Sequence, residues 1–360
     1  MGLLDIAVKP DFEALRRNIL RQGTPQRVHY VELFQDVEIK NMAVQRFDLA
    51  KGLDTNDPFF ALRREIALQR FLGYDMIRVF VANFGFKGAG VQAEDTATPP
   101  GQKRARRNWH DEHRGPIQSW EDFEKYPWPD PAKADCSVLE WVEKNLPDDM
   151  AAYALTSHIL EQPAILMGYE TLCYKLCEEP DLAEAVFRKC GEIWTQMTRI
   201  FASFSRVGVI WGSDDMGFKT QTLISADDLR RLCLPWHKKA AQIAHDHGKL
   251  YFLHSCGNLK AIMEDLIEGV KIDARHSYED VIEPAAEAKR AWGGRIAILG
   301  GIDVDFLARA DEAAIRRRVR ETLGACMPGG GYCLGSGNSV ANYIPLENYL
   351  VMLDEGRHKV

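Results

Sequence analysis

The stretch ISADDLRRLCLPWHKKAAQIAHDHGKLYFLHSCGN, residues 224–258, shows the repeating unit of the predicted fold. Ser225 precedes an acidic first turn and suits a helix N-cap, and the helical pattern 226–247 ends at a glycine. Pro235 lies inside this pattern and should kink the helix or split it in two. The apolar run 249–255 follows at once and ends in polar residues. The stretch therefore predicts a helix followed by a buried strand of a parallel sheet.

The same alternation of short apolar runs and helical patterns continues along the chain. Strands are predicted at 27–34, 75–82, 151–158, 207–213, 249–255, 271–277, 295–301 and 331–335. Helical patterns lie between them, at 58–73, 181–204, 226–247, 259–268, 279–292, 311–325 and 345–354. Eight strands, each followed by helix, predict an α/β protein with the (β/α)8 TIM-barrel fold, and a doubly wound sheet is the second choice. We expect a single barrel domain over residues 1–360.

Composition narrows the class of protein. The 360 residues carry a formal net charge of −7, which disfavours a general nucleic-acid binder. The longest apolar runs are too short to span a membrane, and the start MGLLDIAVKP lacks signal-peptide features. We therefore expect a cytoplasmic protein whose eight cysteines are thiols or metal ligands. Among soluble oligomers, a homodimer is the commonest form.

The segment 83–150 departs from the alternating pattern after the second predicted strand. It is rich in glycine and proline, and short helices are predicted at 119–125 and 137–145. It has two interpretations, a lid over the barrel mouth or a mobile solvated loop. As a hypothesis, its cations meet an anionic substrate or an acidic partner; they are Lys103, Arg104, Arg106 and Arg107.

Polar side chains follow the predicted strands, where barrel active sites form. His254 and Cys256 are two residues apart at a strand end, so their side chains point the same way. Cys333 lies at the end of the last predicted strand, 77 residues after Cys256. One imidazole and two thiolates suit zinc, and three protein ligands leave a position open for substrate. The alternative is a strand-end histidine beside ordinary buried cysteines.

Four further residues at predicted strand ends are candidates for catalysis, namely Asp214, Asp215, His158 and Asn338. The paired aspartates could act as acid and base or hold a substrate group. The alternative is that one of them caps a short turn. His158 is either catalytic or a satisfied strand-end group.

These residues carry a resemblance to the uroporphyrinogen decarboxylase superfamily. Residues 224–258, the GGID at 300–303 and the PGGGYCLGSGN at 328–338 resemble its members, which share the (β/α)8 barrel. The chain departs from true decarboxylases, since it lacks their R-Q-A-G-R-Y segment. It also has CLGSG at 333–337 where they carry an N-L-G-H-G-like segment. Porphyrinogen decarboxylation is therefore not expected.

The departures resemble the methyltransferase branch, in which zinc is bound through H-x-C and a later cysteine. The resemblance implies zinc ligands at His254, Cys256 and Cys333, with Glu279 as a fourth and His276 as its alternative. It implies a zinc-dependent methyltransferase acting between a small substrate and a corrinoid carried by a partner protein. The substrate would be a methoxylated or methylated compound, as for an O-demethylase, or a thiol or folate. The alternative is a metal-independent decarboxylase or lyase that uses Asp214 and Asp215.

Overall fold

The computed structural model describes residues 2–88, 90–94 and 106–358. These residues form α/β structure in two compact units. Unit 1 contains the described residues of Met1–Arg78, Asn145–Tyr153 and Asp273–Val360. Unit 2 contains those of Val79–Lys144 and Ala154–Ile272. No helix in the described part of the chain is long and apolar enough to cross a lipid bilayer.

The described strands, in chain order, are β1 Met76–Val79, β2 Gly90–Glu94, β3 Arg106–His110, β4 Ala151–Thr156, β5 Val207–Ser213, β6 Leu250–His254, β7 Ala274–His276, β8 Ala297–Leu299 and β9 Tyr332–Cys333. The described α-helices are α1 Phe12–Ile19, α2 Val37–Arg46, α3 Phe60–Leu72, α4 Trp120–Lys125, α5 Ser137–Asn145, α6 Glu161–Met167, α7 Tyr169–Glu178, α8 Pro180–Ser203, α9 Ala226–Asp228, α10 Leu234–Asp246, α11 Ala285–Trp292, α12 Val304–Arg309, α13 Glu312–Cys326 and α14 Leu346–Arg357. Single 3-10 turns lie at Pro131–Lys133 and Lys260–Ile262, and π-helical segments at Leu229–Cys233 and Asp265–Val270. The helical pattern predicted at 259–268 is therefore helical in the structure, mostly as 3-10 and π turns.

The parallel strands β7, β8 and β9 of unit 1 consist of buried residues, among them the polar Arg275 and His276 of β7. β7 pairs with β8, and β8 pairs with β9, all in parallel. The segment predicted as the first strand, 27–34, makes a parallel bridge to the end of β9 through Tyr30 and Leu334. It does not extend into a strand, because the Glu32 carboxylate accepts the Ser336 N–H that a backbone carbonyl would otherwise take.

Unit 2 contains the parallel pair β5 and β6, whose residues are almost all buried. The helical stretch before β6 begins at Ser225, whose hydroxyl accepts the Asp228 N–H, as the sequence predicts. A π-helical segment then precedes Pro235 in the first turn of α10. The backbone stays helical through this region, so Pro235 interrupts the regular α-helix with a π-helical segment and does not split it in two; proline has no N–H for the regular pattern.

The segment 83–150 contains the predicted short helices, as α4 and α5, and an antiparallel pair of β2 with β3. Ala82, just before this segment, and Asp135 within it exchange backbone hydrogen bonds of 3.1 and 2.9 Å, which join two points far apart in the sequence. Of the four predicted cations, Lys103 and Arg104 lie outside the described residues, and Arg106 and Arg107 lie on β3. The lid remains a prediction.

In unit 2, α8 packs closely against α10 at Gly191, and this contact allows a prediction about stability. A Cβ there would lie 2.1 Å from the Trp236 ring of α10. Alanine normally stabilises a helix relative to glycine by about 1 kcal/mol. Overpacking costs about 1–3 kcal/mol, so we expect Gly191→Ala to lower the free energy of unfolding, measured by urea denaturation.

Gly324 on α13 is the matched control, because a Cβ there would meet no atom within 4 Å. Gly324→Ala should stabilise the protein by up to about 1 kcal/mol. Equal unfolding midpoints for the two variants would contradict the packing argument.

Candidate metal centre and neighbouring carboxylates

The carboxyl ends of β5 and β6 bring the central site residues together. The two strands pair in parallel with Ser213 opposite His254. The Asp214 N–H then donates to the His254 carbonyl over 3.0 Å, which continues the pairing by one residue. Consequently Asp215 and Cys256, one and two residues further along, lie at the same edge of the sheet.

Asp215, His254 and Cys256 form a cluster of possible metal ligands. One ligand atom of each lies within 4.8 Å of the others. His254 Nε2 is 3.4 Å from Asp215 Oδ1 and 3.5 Å from Cys256 Sγ. The Cys256 N–H donates to Asp215 Oδ1 over 2.9 Å. A nitrogen, a sulfur and a carboxylate oxygen are the donor types that zinc accepts.

Electrostatics keep the Asp215 carboxylate charged. Burial alone would raise its pKa, but the hydrogen bonds and charge of His254 and the N–H of Cys256 lower the pKa of Asp215 to about 2. The carboxylate is thus an anion at neutral pH, as a metal ligand must be. A carboxylate with so low a pKa is poorly suited to act as an acid or a base near neutral pH.

Two tight loops fix the position of Cys256. A Cβ on Gly257, whose φ is +80°, would lie 2.3 Å from the backbone of Gly217. The Asn258 N–H donates to the Phe218 carbonyl over 2.8 Å, on the loop after β5. Only glycine allows this approach of two backbones, so the loops after β5 and β6 hold each other.

Asp214 has a different environment from its neighbour. Its carboxylate is fully buried and accepts the N–H groups of Leu160 and Glu161, at 2.8 to 3.0 Å, at the start of α6. It also lies 2.8 Å from His237 Nε2, and His237 Nδ1 lies 2.8 Å from the Tyr251 hydroxyl. The predicted pair of catalytic aspartates is therefore divided by the structure into a buried anchor and a partly exposed carboxylate.

His158 pairs with a residue that the sequence analysis missed. Its Nδ1 lies 2.9 Å from Glu161 Oε2, and its ring centroid lies 5.0 Å from that of Trp194. Burial raises the pKa of Glu161, as do the charges of Asp215 and Asp214, whereas His158 opposes the shift. Glu161 follows no strand directly, so only its place three residues after His158 could have drawn attention to it.

The remaining predicted site residues belong to unit 1. The Cys333 thiol is buried at the end of β9, and Asn18 Nδ2 lies 3.5 Å from its sulfur. Burial raises the pKa of Cys333 well above that of an ordinary thiol. His276 ends β7 and is fully buried, whereas Glu279 and Asn338 are half-buried in the loops that follow. Their roles as ligands or catalytic groups stay predictions.

The chain belongs to the uroporphyrinogen decarboxylase (URO-D) family, whose model matches residues 112–358. This range covers more than half of the chain and includes every predicted site residue. The resemblance seen in the sequence is therefore confirmed at the level of the family.

Curated relatives match only a short part of the chain. The uroporphyrinogen decarboxylase of Cupriavidus necator is 40% identical over 73 residues, which is 19% of this chain and 20% of the relative. That of Cupriavidus pinatubonensis is 38% identical over 73 residues, with the same shares. The chain thus matches about a fifth of the length of these relatives.

Solved structures match over nearly the full length at low identity. A methyltransferase from Methanosarcina mazei has a TM-score of 0.66 at 14% identity, and 99% of this chain and 98% of that chain are covered. A B12-independent methionine synthase from Shewanella sp. W3-18-1, in complex with selenomethionine, has a TM-score of 0.52 at 11% identity, with 99% and 97% covered. At such identities the likeness establishes the α/β fold.

The different environments of Asp214 and Asp215 can be tested by measuring the free energy of unfolding of a variant at each position. Asp214→Asn should lower the free energy of unfolding by about 3 kcal/mol, because one of the two buried oxygens that face His237 and the Leu160 and Glu161 N–H groups becomes an N–H donor. Asp215→Asn should cost about 1 kcal/mol or less, because the Asp215 side chain is 38% exposed. Urea unfolding of both variants at pH 7 measures the difference.

The pH dependence gives a second check on Asp215. A carboxyl with a depressed folded pKa adds stability above the unfolded value of about 3.9, and this is lost as pH falls. The stability difference between wild type and Asp215→Asn should thus shrink between about pH 4 and pH 2. A difference that stays constant over that range would contradict the assignment.

Proposed function

We propose that the chain is a zinc-dependent methyltransferase that moves a methyl group between a small substrate and a corrinoid presented by a partner protein. The observation that carries the proposal is the cluster of His254, Cys256 and Asp215 at the ends of two parallel strands. Support comes from family membership and from a fold shared with a methyltransferase and a methionine synthase.

The donor set fits zinc better than it fits a hard cation. Calcium and magnesium prefer all-oxygen sites, whereas a thiolate and an imidazole select zinc and softer metals. We assign Asp215 as the third ligand, a residue for which the sequence suggested acid–base work, a contact to a substrate group or the capping of a turn. When bound, zinc deprotonates a substrate thiol while leaving it nucleophilic, or polarises the oxygen of a methyl donor.

The residues around the cluster supply the proton chemistry. A methyl donor that loses its methyl group needs a proton on the oxygen or sulfur left behind. Glu161 retains its proton to higher pH than an ordinary glutamate, and His158 shares a hydrogen bond with it. We assign Glu161 with His158 as the proton donor in that direction, and as the acceptor when a substrate thiol is to be deprotonated.

The rest of the site positions these groups. Asp214 fixes the start of α6 and hence the backbone of Glu161. The Gly217–Gly257 contact fixes Cys256. Neither contact depends on the identity of the methyl donor, so the same arrangement of residues would serve a methyl ether or a thiol.

Metal content is the first test of the proposal. Protein purified under reducing conditions should hold about one zinc per chain by inductively coupled plasma mass spectrometry. His254→Ala and Cys256→Ser should lower zinc affinity by more than the roughly 10–100-fold that follows loss of an outer-shell partner. Cys177→Ser is the matched control, because that thiol is exposed on α7 and should keep full zinc content.

Cys333→Ser tests the second thiolate ligand predicted from the sequence. As a ligand it should behave like Cys256→Ser, whereas zinc content equal to that of Cys177→Ser would remove Cys333 from the set. Absence of zinc from wild type, with no uptake on reconstitution, would remove the central argument for the metal.

Methyl transfer is the second test. We expect the wild type to form methylcobalamin from cob(I)alamin and one member of a panel of methyl ethers, methylamines and methyl thioethers, followed by absorbance. Glu161→Gln should lower the rate and change its pH profile while zinc content stays at the wild-type value. Carbon dioxide release from a carboxylated substrate, undiminished by chelators, would instead favour the metal-independent decarboxylase.

A further inference from the structure

Unit 1 contains a cavity of about 610 Å³ whose lining includes none of the predicted site residues. It is formed by the segments 6–9 and 24–28, the end of α13 and the end of α14. This volume lies in the range of pockets that bind small organic ligands. Much of the lining is apolar, from Ile6, Val8, Pro25, Val28, Leu323 and Met327.

The cavity wall includes a buried cation that no carboxylate pairs with among the described residues. Arg357 is 9% exposed, and its guanidinium donates to the carbonyls of Leu4, Ile6 and Phe71 at 2.7 to 2.9 Å. Its Nε has no hydrogen-bond partner. Desolvation lowers the pKa of Arg357, and the charge of Asp354 acts against this. Backbone carbonyls thus hold the guanidinium, and the nearby Asp354 carboxylate is itself paired with Arg316 and lies 3.6 Å from His358, so it forms no ion pair with Arg357.

A second cation on the wall is also unpaired. Lys9 is exposed and makes no ion pair within the described part of the chain. The other two cations of the lining do have carboxylate partners, since Arg27 pairs with Asp75 and His358 lies 3.6 Å from Asp354. The cavity therefore has a positive excess beside an apolar surface.

We propose that this cavity binds a small organic anion, an apolar or aromatic body bearing one carboxylate or sulfonate. The anionic group would lie between Arg357 and Lys9, and the body would contact the apolar lining. The cavity borders residues 24–28 and 327–328, which precede Tyr30 and β9 along the chain. By contrast, the polar residues predicted to be catalytic or metal-binding come after the strands along the chain. This ligand site is thus separate from the proposed function and does not rest on it.

The test uses the full chain and the fluorescent anion 8-anilinonaphthalene-1-sulfonate as probe. We expect saturable binding at one site per chain. 2-Naphthoate should displace the probe, and the uncharged isostere 2-naphthamide should be about tenfold weaker, the ratio that corresponds to one modest charge interaction. The preference for naphthoate should fall as salt is raised.

Two variants test the location of the site and leave Arg357 unchanged. Gly324 lines the cavity, and a Cβ there meets no atom within 4 Å, so Gly324→Phe should fill the cavity while the helix remains intact. It should weaken naphthoate binding by about tenfold or more. Gly269→Phe is the matched control, since Gly269 is equally open but lies in unit 2.

The charge contribution has its own matched pair. Lys9→Gln should weaken naphthoate about threefold and leave naphthamide unchanged, whereas Lys144→Gln on α5 should change neither. Arg357→Met would remove the main positive charge of the cavity, but it also removes three hydrogen bonds to backbone carbonyls. Weaker binding by Arg357→Met therefore supports the proposal only together with the effects of Lys9→Gln and Gly324→Phe. Equal affinities for naphthoate and naphthamide, equal effects of Gly324→Phe and Gly269→Phe, or no saturable binding would each overturn the proposal.

Discussion

The buried carboxylate of Asp214 is the constraint on which the candidate site in unit 2 depends. It follows β5, accepts two backbone N–H groups at the start of α6, and contacts His237 of α10. Through His237 it is linked to Tyr251 on β6. One side chain thus ties four elements together at the edge of the sheet where the possible metal ligands lie. A buried carboxylate is tolerable only with such a full set of donors, so the site and the local fold stabilise each other.

Neighbouring aspartates acquire opposite roles because alternate residues of an extended chain point to opposite sides. Asp214 points into the protein, where helix α6 and His237 satisfy it. Asp215 points towards His254 and Cys256, which keep its pKa at about 2. A residue with so low a pKa is suited to holding a cation, whereas the raised pKa of Glu161 suits the proton transfer that we propose for it. In the proposed function, the environments of Asp215 and Glu161 would thus separate metal binding from proton transfer.

The sequence predicted the parts of this arrangement that rest on periodicity. Strands 207–213 and 249–255 appear at their predicted places, as does the cap at Ser225, and the helical pattern around Pro235 is interrupted by a π-helical segment. The pairing of His254 with Cys256 also followed from their spacing. Helices α6 and α7 were missed, because residues 159–178 show no clear helical period and contain a proline and a glycine.

Other features depend on contacts that no local pattern shows. That Asp214 anchors α6 could not be predicted, since the two are more than 50 residues apart. For the same reason Asp215 was grouped with its sequence neighbour rather than with His254. The first predicted strand was reduced to a bridge by a side chain, Glu32, that competes for a backbone donor. Tertiary hydrogen bonds decided each of these cases.

The departures of this chain from the decarboxylase pattern gain a physical meaning in unit 1. Ser336 stands where the decarboxylases carry histidine, and it is fully buried. Its N–H and hydroxyl lie 2.7 and 2.5 Å from the two carboxyl oxygens of Glu32, whose pKa burial raises to about 8. Cys333, in the place of asparagine, contacts Asn18. Each of these two residues thus contacts a partner from the first 32 residues, a region that precedes the matched family range. The amino-terminal segment and the CLGSG segment are therefore joined by buried polar contacts, since Asn18 also binds the Tyr332 carbonyl and the Gly331 N–H.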